Sequence, residues 1–582
     1  MKKGFFTLRR LLVVAVVVII LAAVWSAWLA WRTERELRSA EDAVNRLQAA
    51  VENGDDSARD TAVADLQASA SSAKGYTDGL WWSAMTKLPV YGDDASGVEA
   101  LSASIDLVAR EAIGPLAATV DALDGLVEDG QIDPAKVAEL EGPISGAARA
   151  MRHASGLVSA HDPKDFMPAL STRYADYAKR LAGIASDFSA AETAVDVLPN
   201  MLGGDGPRNY LFIFQNNAEI RSTGGLPGSW ARVHVENGKI QLREQGSAAE
   251  LNNNQSAAEL TDEELAVYDQ LPALFFQDPN FIPDFPRAAT LFNAFWSRTY
   301  PAVELDGILT LDPVAMSYLM AGTGPVQAGE LTLTAENIVP ELLSNTYLSI
   351  TDPSKQDEQF QEVARAILSA STSRLASPID FVQGLSRAVR ERRFLLAPTD
   401  PAEVERLNGA SILGQLTGDD GAVPHVDIGL NDATGSKMSY YLRYFAGVES
   451  RSCLSGVQAL EGTMTLNQTI SPRDARALPD YVTGGDAYGI PIGSQLVTAR
   501  IYGPYGGSIS DVRLNGEPLD PKYGLQIDGR PVVTISILID TIDDARVTWK
   551  MQTAVKQTGS GKVGLTPSVL GGTLDSQFKS AC

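Results

Sequence analysis

Residues 209–225 read N-Y-L-F-I-F-Q-N-N-A-E-I-R-S-T-G-G. The first seven, Asn209 to Gln215, are apolar and aromatic enough for a buried strand, which predicts a mixed α/β class for the middle of the chain. The following segment, Asn216 to Arg221, reads as a loop leaving the carboxyl end of that strand, the side on which α/β sheets place ligands. Gly224 and Gly225 would let a ligand approach the backbone. Next, Ser229 to Val235 and Lys239 to Glu244 flank Asn237-Gly238, a strong signal for a two-residue hairpin. Polar sequence follows, with S-A-A-E-L at Ser247 to Leu251 and again at Ser256 to Leu260, and reads as a mobile loop.

Working toward the C-terminus, Arg287 to Tyr300 is an amphipathic helix with Ala288, Leu291, Phe292 and Phe295 inward. Val303 to Leu311 is a strand, Asp312-Pro313 starts a helix, and Phe360, Val363, Ile367 and Ala370 define another. Val426 to Leu430 reads as a late strand of this α/β part, which is placed at 207–440. From 441 to 582 short strand-like segments alternate with Gly/Pro turns, the pattern of a β-sandwich.

Toward the N-terminus, the glycines and prolines of Leu198 to Pro207 mark a boundary, and 32–200 is Ala-rich and helical. Leu37, Ala40, Val44, Leu47 and Val51 form one heptad-like stripe, and Val63, Leu66, Ala70 and Ala73 a second. Asn53 to Asp56 break the pattern between them, so the two stripes predict an antiparallel helical stalk, or two surface helices of a larger bundle. From Leu11 to Trp31 runs an uncharged segment of 21 residues, the length of a single membrane span. Lys2, Lys3, Arg9 and Arg10 precede it and Trp25, Trp28 and Trp31 mark its far end, which predicts a cytoplasmic tail at 1–10 and an extracytoplasmic body. The fold class is thus multidomain α+β: an N-terminal transmembrane helix, a helical stalk or bundle, an α/β core and a β-sandwich.

Net charge is −24, and without the four basic residues before the span 44 basic residues face 72 acidic ones. Such a surface repels nucleic acid and anionic lipid unless a local basic pocket intervenes. Two cysteines, Cys453 and Cys582, are too few for a metal cluster but enough for one disulfide in an oxidising compartment. The four histidines show no ligand spacing, and no G-x-S-x-G, C-x-x-C or Walker element is present.

Five strings in order, K-L-P-V-Y-G at Lys87, F-Q-N-N-A-E-I-R-S-T-G-G at Phe214, P-D-F-P-R-A-A at Pro283, L-D-G-I-L-T-L-D-P-V-A at Leu305 and L-P-D-Y-V-T-G-G at Leu478, resemble a largely actinobacterial family of membrane-anchored proteins known only as a domain of unknown function. More distantly, the hairpin, the helix and then D-G-I-L-T-L-D-P-V-A-M-S-Y-L-M-A-G-T-G-P-V look like the core of LytR-CpsA-Psr proteins. Those move glycopolymers from polyprenyl pyrophosphate to the cell wall, holding the pyrophosphate with arginines and a divalent metal with acids. The resemblance implies Mg as the cofactor if the chain is such a transferase. Where that family has R-x-D after the hairpin, this chain has Arg243-Glu244-Gln245.

Arg221, Arg243 and Arg287 suit convergence on phosphate oxygens, with Asn216 and Glu219 beside them. The alternative is that Glu219 and Arg221 pair with each other. Asp284 and Asp312 read as metal ligands or as helix caps, and Arg387, Arg390, Arg392 and Arg393 as a solvated helix face. Two functions remain: an envelope scaffold or binding module contacting cell-wall polymer or a partner, or a phosphotransferase acting on polyprenyl-linked glycopolymer. A sensory receptor is disfavoured, because only ten residues precede the span.

Overall fold

A computed structural model describes residues 3–582, leaving aside 53, 90, 117–118, 120–125, 129, 374, 486–488, 541–543, 571 and 573–574; for 3–23, 52, 127–128 and 575–576 it describes the backbone alone. The chain divides into two compact units, one of residues 1–125 and 136–196, the other of 126–135 and 197–582.

The first unit is helical. α1 (Lys3–Glu52) and α2 (Asp56–Thr77) meet at a break where Asp55 accepts the Ala58 backbone N–H. Ala40 and Ala43 of α1 cluster with Leu66 and Ala70 of α2; Leu66, Ala70 and Ala73 of the second stripe are buried and Val63 half-buried, while the first stripe keeps Ala40 but turns by one residue beyond it, with Ala43 and Ala50 buried and Val44 47% exposed. Alanines win because a side chain of one methyl group lets two helix backbones approach closely. Beyond them α3 (Gly92–Glu111), α4 (Glu141–Ser159) and α5 (Pro168–Met201) follow. Leu101, Ala147, Met151, Phe166 and Tyr174 form a second core in this unit. Among the described residues no helix is long and apolar enough to cross a membrane. Of the span expected at 11–31, the side chains of 11–23 lie outside the described residues.

The second unit begins with two short strands inside the segment expected to be wholly helical. β1 (Val127–Glu128) and β2 (Gln131–Ile132) join β3 (Arg208–Arg221), β4 (Gly224–Glu236), β5 (Lys239–Ser247), β6 (Gly307–Leu311) and a later strand, β9, in a seven-stranded sheet. β7 (Val326–Ala328) and β8 (Leu331–Leu333) form a separate hairpin, and β9 spans Phe394–Pro398. The order is β1-β2-β5-β4-β3-β6-β9, with β3 and β6 parallel. Asn237 (φ 49°) and Gly238 (φ 78°) turn β4 into β5, as the Asn-Gly signal requires. The first S-A-A-E-L is not a mobile loop: Ser247 and Glu250 make a capping box on a single tight turn.

Helices start where the sequence supplies a cap followed by proline. Asp284, Asp312, Asp352 and Ser377 cap α7 (Phe285–Thr299), α8 (Pro313–Thr323), α9 (Pro353–Ser371) and α10 (Pro378–Arg390), while Thr261 caps α6 (Asp262–Tyr268). Phe212 and Phe214 of β3 pack against the cluster formed by α8, α9 and α10. On the opposite face Trp230 of β4 meets Trp296 of α7 edge-on at 5.3 Å.

The remaining strands build two further sheets. β10 (His425–Asp432), β11 (Leu442–Leu454), β12 (Val457–Gln468), β13 (Gln495–Tyr502), β14 (Ser508–Leu514) and β15 (Glu517–Pro518) are followed by β16 (Leu525–Ile527), β17 (Arg530–Ile539), β18 (Ala545–Gln552), β19 (Gly561–Leu565) and β20 (Asp575–Phe578). One sheet runs β16-β17-β13-β10-β19-β20 and the other β11-β12-β18-β14-β15. They share one hydrophobic core, which includes Ile428, Leu460, Val497, Ile537, Trp549 and Val563. β10, read from sequence as the end of the α/β part, lies inside the first of these sheets, between β13 and β19. Cys453 at the end of β11 and the terminal Cys582 are joined in a disulfide.

A fully buried ion pair fastens the first sheet to the later ones. Asp312, at the end of β6, is 0% exposed and lies 2.8 Å from Arg393, just before β9. The Arg393 side chain also donates to Glu391 (2.9 Å) and to the Ser568 backbone carbonyl (2.5 Å). Burial disfavours the Arg393 cation, yet Asp312, Tyr318 and Glu391 together outweigh that effect and hold its pKa above the ordinary value. Arg393→Met should therefore cost about 3–5 kcal/mol in urea unfolding, because Asp312 is left buried and unpaired. Arg393→Met combined with Asp312→Asn, which keeps the helix cap, should recover most of that loss; a double variant no better than the single one would mean packing, not charge, dominates.

Candidate functional site

The segment expected as a loop after the buried strand is the second half of β3. Its pairing with β4 slips between Asn216, opposite Leu226, and Ile220, opposite Gly225. Asn217, Ala218 and Glu219 are left as a bulge, the kind of irregularity that re-aims side chains. Gly225 permits it: a Cβ there would run into the backbone of Asn216 and Asn217. The bulge sits at the carboxyl ends of the parallel strands β3 and β6, where Asn217 donates to Asp312 (2.9 Å).

Asn216 and Glu219 open onto a cavity of ≈170 Å³. Its floor is apolar, with Phe214, Met316, Leu342, Leu343, Val363 and Ala364. The polar wall holds Gln215, Asn216, Glu219, Asp357, Lys437 and Tyr481. Asn216 donates to the Tyr347 hydroxyl (2.7 Å). Glu219 accepts from Lys437 (2.7 Å), whose ammonium lies 4.8 Å from the Tyr347 ring centroid and 4.0 Å from that of Tyr481. Burial opposes the Lys437 charge, but Glu219 and Tyr481 outweigh it, so the ammonium is held above the usual lysine value. Burial raises Asp357, with the Ser247 hydroxyl pulling the other way. Gln215 is 3% exposed; its Oε1 accepts from Gly225 N–H, and its Nε2 has no partner among the described residues.

The three arginines do not line this cavity. Arg221 is 6% exposed and donates to the Ile220 and Asp432 carbonyls, with its guanidinium 5.0 Å from the Phe281 ring centroid and 3.8 Å from Asp278. Arg287 grips Glu264 through two bonds of 2.6 and 2.8 Å. Arg243 is exposed on β5, and its neighbour Glu244 pairs with Arg232. Glu219 pairs with Lys437 rather than with Arg221, so the expected local pair is replaced by one 218 residues apart. Asp284 caps α7 and accepts from the Leu416 N–H (2.8 Å). Among the described residues, no group of three or more His, Cys, Asp or Glu is placed to hold a metal ion. The basic run is not a uniform solvated face: Arg393 is buried on Asp312, Arg392 lies 3.5 Å from Asp427, and the Arg387 guanidinium sits 3.9 Å from the Tyr318 ring centroid.

Sequence reasoning missed Lys437, Tyr347, Tyr481 and Asp357. The one available signal was the polar string N-D-A-T-G-S-K at Asn431 to Lys437, too dense in small hydrogen-bonding residues for an ordinary strand end. There Asp432 is buried and accepts from Thr434, Ser436 and Gln495.

Residues 205–347 match the model of a family described as "Protein of unknown function (DUF4012)". The matched segment carries Asn216, Glu219 and Tyr347 but stops short of Lys437 and Tyr481, so the family segment supplies one wall of the cavity. No curated protein and no solved structure was found to match the chain.

Burial lifts the Asp278 carboxyl to about 6, with Arg221 only partly opposing. The folded chain thus holds this proton more tightly than the unfolded one, and the group's contribution to stability declines as pH rises toward and through that value. Asp278→Asn should raise stability by roughly 1–3 kcal/mol above neutral pH and change it little near pH ~4. Urea unfolding across that range checks it; a gain independent of pH would assign the effect to something other than the carboxyl.

Proposed function

We propose that the chain is a membrane-anchored, extracytoplasmic scaffold or binding protein of the cell envelope. Residues 11–31 cross the membrane once with the N-terminus cytoplasmic, and the α/β part, of LytR-CpsA-Psr-like form, together with a C-terminal β-sandwich, meets cell-wall polymer or a partner. The observation that carries the compartment is the Cys453–Cys582 disulfide, a bond that persists in oxidising surroundings. The cavity under the β3 bulge supports binding over chemistry. A phosphotransferase calls for several arginines on one pyrophosphate, whereas no arginine lines this cavity.

Protease added outside intact cells with permeabilised walls should remove the body and leave a small anchored N-terminal fragment. Full protection would overturn the placement. Chain recovered from the outer compartment should show no free thiol by non-reducing mass spectrometry. The bridge closes a loop with a sequence separation of 129, so reduction should cost about 5 kcal/mol by the chain-entropy relation, read as a lower urea midpoint. An unchanged midpoint would mean that the terminal segment is held by packing alone.

A further inference from the structure

We propose that the cavity beneath the β3 bulge binds a free α-amino acid with an aliphatic side chain. The inference rests on reading the α/β part as a binding module, and it names that module's ligand.

Size sets the first limit. At ≈170 Å³ the space is close to the roughly 150 Å³ cavity that accommodates benzene, and well below the roughly 300–1,000 Å³ of sites for drug-sized molecules. A long lipid tail or a folded peptide does not fit; a branched four-carbon side chain with its α-carbon does. The floor has the matching character, because Met316, Leu342, Leu343 and Val363 are each less than 5% exposed and wholly apolar at their tips.

The wall sets the second limit. Glu219 and Lys437 stand 2.7 Å apart as opposite charges, and Asp357 adds a second carboxyl. Both acids lie near enough to Tyr347 to act on its hydroxyl. A zwitterion matches this arrangement, with its ammonium toward Glu219 and Asp357 and its carboxylate toward Lys437. A ligand carrying only a carboxylate meets two acids and one ammonium, and one carrying only an ammonium forgoes the Lys437 contact, which is how such a site discriminates. A phosphate ester meets two carboxyls and one ammonium, the wrong balance.

Gln215 supplies the independent observation. It is 97% buried, lines the cavity, and has an Nε2 donor with no partner among the described residues, while its Oε1 is engaged by Gly225. A buried donor left unpaired is destabilising unless something accepts from it. A ligand carboxylate entering the cavity is such an acceptor.

The test is calorimetric titration of the purified full-length chain with L-leucine and D-leucine, both being used because the cavity's handedness toward the α-carbon is open to experiment. Either enantiomer should bind saturably in the millimolar range or tighter and raise the melting temperature. Leucinamide, which lacks the carboxylate, and 4-methylpentanoate, which lacks the ammonium, should each bind roughly 10- to 150-fold more weakly. Lys437→Met with Glu219→Gln removes both charges together and should abolish binding while leaving thermal unfolding cooperative. Ala364→Leu, which fills the floor without touching a charge, should abolish it as well and decides the matter if the double variant fails to fold. Saturable binding by neither enantiomer, or binding unaltered by Ala364→Leu, overturns the proposal. Either result leaves the protease-accessible topology standing, so loss of the ligand is distinguishable from loss of the envelope reading.

Discussion

The fully buried contact between Asp312 and Arg393 is the constraint on which the second unit depends. Two charges removed from water must be matched on nearly every side, and here they are. Asp312 serves at once as the cap of α8, the acceptor for Asn217 and the counter-ion of Arg393. Arg393 in turn reaches the Ser568 carbonyl, beyond β19. One carboxylate therefore fixes the start of a helix, the shape of the β3 bulge, the entry to β9 and the seating of the C-terminal chain. A change at any of these propagates to the others through the cost of an unmatched charge.

The bulge follows from that arrangement. Asn217 is drawn toward Asp312, while Asn216 and Glu219 face the cavity. Glu219 then meets Lys437, which arrives from the loop after β10. The candidate site is accordingly a junction product: its apolar floor belongs to the helices on one face of the first sheet, and its cation comes from a segment that leads out of another. The same economy explains the arginines. In a chain with 72 acidic residues against 48 basic ones, a buried guanidinium readily finds a carboxylate within the protein.

Much of the local architecture was legible. Asn237-Gly238, the Asp-Pro and Ser-Pro helix starts, the inward stripe of α7 and the two cysteines each carry their meaning within a few residues, because turn geometry, capping and helical period are local physics. What escaped were relations between distant residues. The bulge reads as a loop in the sequence, since alternation cannot show where a partner strand slips. Arg221, Arg287 and Arg393 were judged without their acids, two of which, Asp278 and Asp312, lie more than 50 residues away in sequence. The α1 stripe was turned by one residue because hydropathy favours Val44, whereas close helix packing favours the smaller Ala43. Of the site, Asn216 and Glu219 are legible from their place after a buried strand; Lys437 and Tyr481 are not, since the polar string before Lys437 marks hydrogen bonding rather than an aromatic enclosure.

Ile220 gives the bulged strand a further significance. It is 1% exposed, and the core it enters is the one shared by the two C-terminal sheets, with Val426 as its next member along the chain. During synthesis at roughly 5–20 residues per second, the 205 residues between them keep this strand end waiting on the order of 10–40 s before its core begins to exist. The nascent chain therefore carries an apolar strand terminus whose core is complete only when the last strands close over a residue made long before them. Order of appearance and order of burial run in opposite directions, which makes the interval between Ile220 and the final strands the period in which this protein is most exposed to misassembly.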